Sequence, residues 1–124
     1  MSTIIQYKIL VESLKLIAIP YEKQIKVLPN FVNAIDEIIS TFYDSFLLLP
    51  QIIEEDLISK KAIAAILRCF NWIDLLSRKE GCLTTESLKT DDSWEKVRNL
   101  AKKALEEMKV EVTIPDLSHI QWVD

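Results

Sequence analysis

Acid–base and nucleophilic chemistry relies on histidine, cysteine or paired carboxylates, and this chain has few of the first two. His119 is its single histidine, and Cys69 and Cys82 are its two cysteines. A histidine-based triad needs a nucleophile and an orienting acid within hydrogen-bond reach. The sequence around His119 offers no such pattern, so it reads as a polar residue on a C-terminal turn. Cys69 lies in the apolar helical context Arg68-Cys69-Phe70, where a thiol acts as a small core hydrophobe; a reactive thiol needs an electropositive, partly open setting. Cys82 follows Gly81 and is expected to be the more exposed of the two. No cysteine or histidine stands at zinc-ligand spacing. Gly81 is the only glycine, which argues against a phosphate-cradling loop or a tight β-hairpin. The expectation is a protein without enzymatic activity, metal or cofactor.

The carboxylates carry more information. Glu54-Glu55-Asp56 and Asp91-Asp92 are contiguous acidic runs. Two acids catalyse proton transfer when burial separates their pKa values. Adjacent acids, however, are ordinarily solvated, and neither run has the pattern of a calcium loop. Their distribution is uneven. Lys26 and Lys60 are consecutive basic residues, and between them lie six acids: Asp36, Glu37, Asp44, Glu54, Glu55 and Asp56. The formal net charge is −4, so this stretch is at −6 and the remainder is at +2. An ordinary solvated helix face is one reading. The other is an acidic docking surface for a basic protein partner, with Asp91 and Asp92 assisting, because complementary fields speed association and set specificity. A sequence pI of about 5.1 disfavours nucleic acid as that partner.

The elements that must position these residues are helical. Thr3 caps a helix running to about Ala18, although its β-branched residues also suit a strand. Pro20 ends that helix, and Pro29 closes a short piece over Glu22 to Val27. Asn30 or Asn33 caps the next helix, Ala34 to Leu49. Its stripe of Ile35, Ile38, Ile39, Phe42, Phe46 and Leu49 has helical spacing. Pro50 kinks this helix or starts a short one. Ser59 caps Lys60 to Arg78, a helix expected near the centre with Ile63, Ile66, Leu67, Phe70, Ile73 and Leu76 or Ser77 inward; Gly81 ends it. Leu83 to Thr90 is a connector with about one helical turn. Asp92 and Glu95 form a capping box for a helix over Trp94 to Met108. Val110, Val112 and Ile114 alternate as in a short extended segment, and Asp116 caps a last turn that tucks in Leu117, Ile120 and Trp122.

The prediction is therefore all-α: a single-domain helical bundle of about five helices over residues 1–124, with a short extended segment near the C-terminus. The two clearest helices, Ala34 to Leu49 and Lys60 to Arg78, are expected to pack on Trp94 to Met108. Hydrophobic residues make up 49% of the 124 and charged residues 27%, which suits one core without disulfides. No apolar run, Phe46 to Leu49 among them, approaches the length of a membrane span, and the N-terminus lacks the pattern of a signal peptide. Two cysteines expected to stay reduced point to the cytoplasm.

Phe42-Tyr43-Asp44-Ser45-Phe46-Leu47-Leu48-Leu49-Pro50, Leu57-Ile58-Ser59, Trp94-Glu95-Lys96-Val97-Arg98-Asn99-Leu100-Ala101 and Ala104-Leu105 form a layout over about three quarters of the chain. In this the chain resembles the small helical immunity proteins encoded beside bacterial polymorphic toxins, including those of contact-dependent growth inhibition systems. The resemblance implies a protein without enzymatic activity that binds a cognate toxin domain, often a nuclease, and blocks its active site. The interface residues named above come from charge alone. The alternative is a non-enzymatic helical adaptor or regulator that binds a protein partner through an apolar groove.

Overall fold

The computed structural model describes residues 2–120 and 122. Among them are seven helices: α1 (Thr3–Ala18), α2 (Tyr21–Val27), α3 (Ala34–Phe46), α4 (Leu49–Glu54), α5 (Lys60–Arg78), α6 (Thr85–Thr90) and α7 (Asp92–Glu107). Helix accounts for 69% of the described residues, and no strand occurs among them. The all-α class stands, with seven helices where about five were expected. Residues 110–117 form neither helix nor strand. Val112 and Ile114 are exposed there, because no second strand exists to pair with them.

Most boundaries follow from local chemistry. Side-chain oxygens of Ser2, Asn33, Ser59 and Thr84 accept the backbone N–H groups of Ile5, Asp36, Ala62 and Ser87, which the first turns of α1, α3, α5 and α6 leave unpaired. Ser2 caps α1, one residue before the expected Thr3. At α7 the cap is Asp91, whose Oδ1 accepts from the Ser93 N–H at 2.8 Å, and the expected Asp92–Glu95 box does not form. Asp91 also donates its backbone N–H to Ser87 O at the end of α6, so it is the one non-helical residue between two helices. Glu95 pairs instead with Arg98.

α3 stops at Phe46, short of Leu49, and Pro50 becomes the second residue of α4. Proline lacks an N–H, and its ring would strike the carbonyl four residues back, that of Phe46. α4 and α7 both end in a Schellman arrangement. Leu57 N–H reaches Ile52 O and Asp56 N–H reaches Ile53 O; Val110 N–H reaches Leu105 O and Lys109 N–H reaches Glu106 O. The left-handed residues are accordingly Asp56 at φ 56° and Lys109 at φ 59°. Gly81 does not cap α5, which closes at Lys79. Its φ of 84° places it third in a turn where the Cys82 N–H bonds Lys79 O, the type II position that favours glycine.

The centre of the molecule is α1. α7 lies against α1 and α5, α3 and α4 lie against α1, and α6 bridges α7 and α3. The expected packing of α5 on α7 is present; α3 packs on α1 instead. Leu10, Val11, Leu14, Leu16, Ile17, Ala18 and Ile19 are buried, and so are Ile35, Ile38 and Phe42 of α3. The inward face of α5 is Ala62, Ala65, Ile66, Cys69, Ile73 and Leu76. Leu67 is 42% exposed and Phe70 is half-buried, so the stripe is rotated from the expected one toward the small residues, which let α7 approach closely.

Buried polar groups complete the core. Ser13 Oγ and Ser45 Oγ meet at 2.6 Å between α1 and α3, and each also reaches its own helix's carbonyl, Leu10 O and Phe42 O, at 2.9 Å. Two hydroxyls supply only two protons for these three links, so the pair runs as a short directional chain. Gln24 Nε2 donates to Leu16 O and Ile17 O at 3.0 and 3.3 Å, meeting two of the carbonyls that the end of α1 leaves unpaired.

Ile66→Ala is expected to cost about 2–5 kcal/mol in a denaturant melt. Gln24→Leu, which strands two buried carbonyls, is expected to cost about 1–3 kcal/mol. Leu67→Ala is expected to leave the midpoint nearly unmoved; a large loss there would mean that Leu67 belongs to the core.

Candidate functional site

α3 presents its acids opposite its core stripe. Ile35, Ile38, Phe42 and Ser45 turn inward, and Asp36 and Asp44 are exposed. Asp36 and Glu37 stand in the first turn, where carboxylates oppose the partial positive charge of the helix start. Glu37, Ser40, Thr41 and Asp44 share one side at helical spacing and line a cleft of about 460 Å³. Ile9 of α1 and His119 and Ile120 of the C-terminal turn close it. The turn is held by the Ser118 N–H donating to Asp116 Oδ1 at 3.0 Å, the cap expected for Asp116. Two of the predicted acids, Glu37 and Asp44, thus share a cleft with His119, a placement that nothing in the sequence around His119 points to.

Glu54, Glu55 and Asp56 are all exposed at the end of α4. Carboxylates sit badly at a helix C-terminus, where carbonyl oxygens already concentrate negative charge. No ion pair among the described residues relieves them. The pairs present are Lys15–Glu12, Arg78–Asp74, Arg98–Glu95 and Lys103 with Glu106 and Glu107. All lie outside the base-free stretch, so all six of its acids are unpaired within the described residues.

Between Asp44 and Glu54 the chain turns an apolar corner. Phe46, Leu47, Leu49, Pro50 and Ile53 line a depression of about 220 Å³. Leu47 is 73% exposed, because it falls about 100° past Phe46, on the side of α3 away from the buried stripe. Behind the corner the Phe46 ring stacks on Phe70 of α5 at 4.3 Å, and Tyr43 lies 5.3 Å from the same ring. The signal available in the sequence was Leu47-Leu48-Leu49, which has more leucines than one helical stripe can bury.

Asp91 and Asp92 belong to a different place, the start of α7, a helix that packs on α5, α1 and α6. Asp91 is committed to capping. The Ser93 N–H holds its carboxyl below the usual aspartate range, helped by the Ser93 hydroxyl, the Lys79 charge and the Ser87 hydroxyl against a smaller opposing desolvation. Asp92 is exposed as the first helical residue.

Both cysteines are buried. Cys69 is packed against α7 with Sγ 4.0 Å from Val97 O, and burial pushes its thiol up to about 12. Cys82 is only 3% exposed, contrary to expectation. Trp94, itself buried, donates its Nε1 proton to Cys82 O at 2.9 Å and draws the loop onto the core. Among the described residues no group of three His, Cys, Asp or Glu side chains is placed to hold a metal ion, and no helix is long and apolar enough to cross a membrane. Comparison with family models, curated proteins and solved structures finds no significant match to this chain.

Thiol titration of the native protein is expected to label neither cysteine, and unfolding is expected to release both; rapid labelling of Cys82 would contradict its burial. Asp91 has a lowered folded pKa. Its stabilising contribution is therefore present above the unfolded value of about 3.9 and is lost as pH falls through the lower folded value. Asp91→Asn keeps a capping oxygen but cannot titrate. The melting-temperature gap between wild type and this variant is expected to narrow below about pH 4. A gap constant with pH would remove the charge from the account.

Proposed function

We propose that this chain is an immunity protein without enzymatic activity of its own, acting in the cytoplasm. It binds a cognate toxin domain, a nuclease by class, and covers the toxin's basic active site with the acidic surface of α3 and α4. The observation that carries this reading is the set of six acids between Lys26 and Lys60, unpaired within the described residues and mostly exposed. A nuclease cleft must attract a polyanion and is therefore basic. A surface that mimics phosphate with carboxylates fits such a cleft, and long-range attraction would speed its capture. Asp91 serves α7 structurally, so the interface is drawn around Asp36, Glu37, Asp44, Glu54, Glu55 and Asp56, with Asp92 at most peripheral.

The second reading is a helical adaptor that binds a protein partner through an apolar groove. The bare corner at Leu47 favours it. Co-purification with the product of the gene upstream separates the two, since an immunity gene lies beside that of its toxin.

Charge reversal at Asp36, Glu37 and Asp44 together is expected to weaken toxin binding, mainly through a slower and less salt-sensitive association, while the protein stays folded. Reversal at Glu106 and Glu107, which pair with Lys103 on α7, is expected to leave binding nearly unchanged. Titration of both variants against the toxin domain, with melting curves alongside, checks this. Equal losses would point to net charge rather than this surface, and no loss in either would remove the acids from the interface.

A further inference from the structure

We infer that the acidic surface and the apolar corner form one binding site, and that its occupant is a basic amphipathic segment of a protein partner, with apolar side chains seated at the α3–α4 corner between lysines or arginines. This deepens the docking-surface reading of the acids and rests on it.

The corner is built to receive side chains. Its depression of about 220 Å³ lies below the roughly 300–1,000 Å³ of small-molecule pockets. Leu47 is 73% exposed, and Ile53 and Leu57 are each 37% exposed. The stack of Phe46 on Phe70 gives it a stiff aromatic backing, so little conformational freedom is lost on binding. Leu67, one helical turn before Phe70 on α5, is a further exposed apolar side chain. Arg68 is about 100° further round that helix and lines a separate pocket with Lys61, Lys103 and Glu107.

Charge selects the occupant. Asp44 precedes Leu47 by three residues, and Glu54, Glu55 and Asp56 follow Ile53 directly. An anionic lipid surface would meet these carboxylates with repulsion. A two-fold dimer through the same corner would set one acidic rim against another. A basic protein segment satisfies both features, since apolar anchors supply most of the affinity while the charges guide approach and reject acidic competitors.

The test uses the full chain and labelled peptides followed by fluorescence anisotropy. The probes are an amphipathic leucine–lysine peptide, the same peptide with serine for leucine, and the same peptide with glutamate for lysine. The leucine–lysine peptide is expected to bind tighter than either relative by about ten-fold or more. Leu47→Ser with Ile53→Ser is expected to abolish that preference at an unchanged melting temperature, whereas Leu75→Ser, an exposed leucine elsewhere on α5, is expected to preserve it. Glu54→Gln, Glu55→Gln and Asp56→Asn together are expected to slow association. Equal binding of the leucine–lysine and serine–lysine peptides would overturn the apolar anchor and leave the acidic surface standing. Equal binding of the lysine and glutamate peptides would sink the acidic docking surface itself. No binding of any peptide overturns the proposal. So does a dimer broken by Leu47→Ser in sedimentation, or Leu47-dependent binding to phosphatidylglycerol vesicles.

Discussion

The second half of α1 is wrapped on several sides at once: α7, α3 and α4 all rest on it. From Leu10 to Ile19 every residue but Glu12 and Lys15 is buried. Removing a leucine or isoleucine side chain from water is worth about 1.5–3 kcal/mol, so this run supplies a large part of the driving force. A helix that is apolar nearly all round cannot be a surface element and must collect neighbours. Its two polar fixtures then limit how they collect. Ser13 meets Ser45, which sets the position of α3 along α1. Gln24 folds α2 back against the end of α1 by bonding its last carbonyls.

α7 completes the centre by fitting between α1 and α5. Ala101 and Ala104 on α7, and Ala62, Ala65 and Cys69 on α5, are all buried, and small residues at such a contact let the backbones approach. Arg98 is 7% exposed yet spans to α6, with Nη1 donating to Leu88 O at 3.1 Å and Nε to Glu95 at 3.0 Å. A buried guanidinium is tolerated when its donors are met in this way. With Asp91 and Trp94 it ties α6 and the preceding loop to α7, so the α6–α7 part of the molecule is closed by specific polar links.

The acidic side is built differently. α3 is anchored on α1 along one face, and α4 touches α1 along a short stretch. Nothing among the described residues covers Leu47 or pairs with the carboxylates that follow Ile53. Three acids at the negative end of α4, and Asp56 in a left-handed conformation, are local choices that stability does not favour, although aspartate tolerates that conformation better than most residues. Conflicts between local preference and fold concentrate where a protein serves a purpose other than its own stability. α7 ends in the same way, with Glu106 and Glu107 in its last turn and Lys109 left-handed, but Lys103 pairs with both glutamates, whereas the carboxylates at the end of α4 have no such partner among the described residues.

The sequence alone determined the features that depend on a few neighbouring residues. The all-helical class, the span Lys60–Arg78 with its Ser59 cap, the short helix before Pro29 and the turn capped by Asp116 were legible because capping, proline sterics and helical periodicity act within about four residues. The acidic stretch between Lys26 and Lys60 was legible from charge counting, and the exposure of most of its acids follows from the cost of burying an unpaired carboxylate. Which helix lies at the centre was not legible: α5 has the cleaner amphipathic stripe, and the nearly uniform apolarity of α1 reads ambiguously until its neighbours are known. Burial of Cys82 rests on the indole of Trp94, twelve residues away, and the cleft that His119 shares with Glu37 and Asp44 rests on the chain returning to α3. Asp91 rather than Asp92 became the cap because α6 forms just before it. The exposed corner at Leu47 needed both Pro50 and the docking of α3 on α1. These are contacts between residues distant in sequence, and only packing decides which of several plausible faces loses its water.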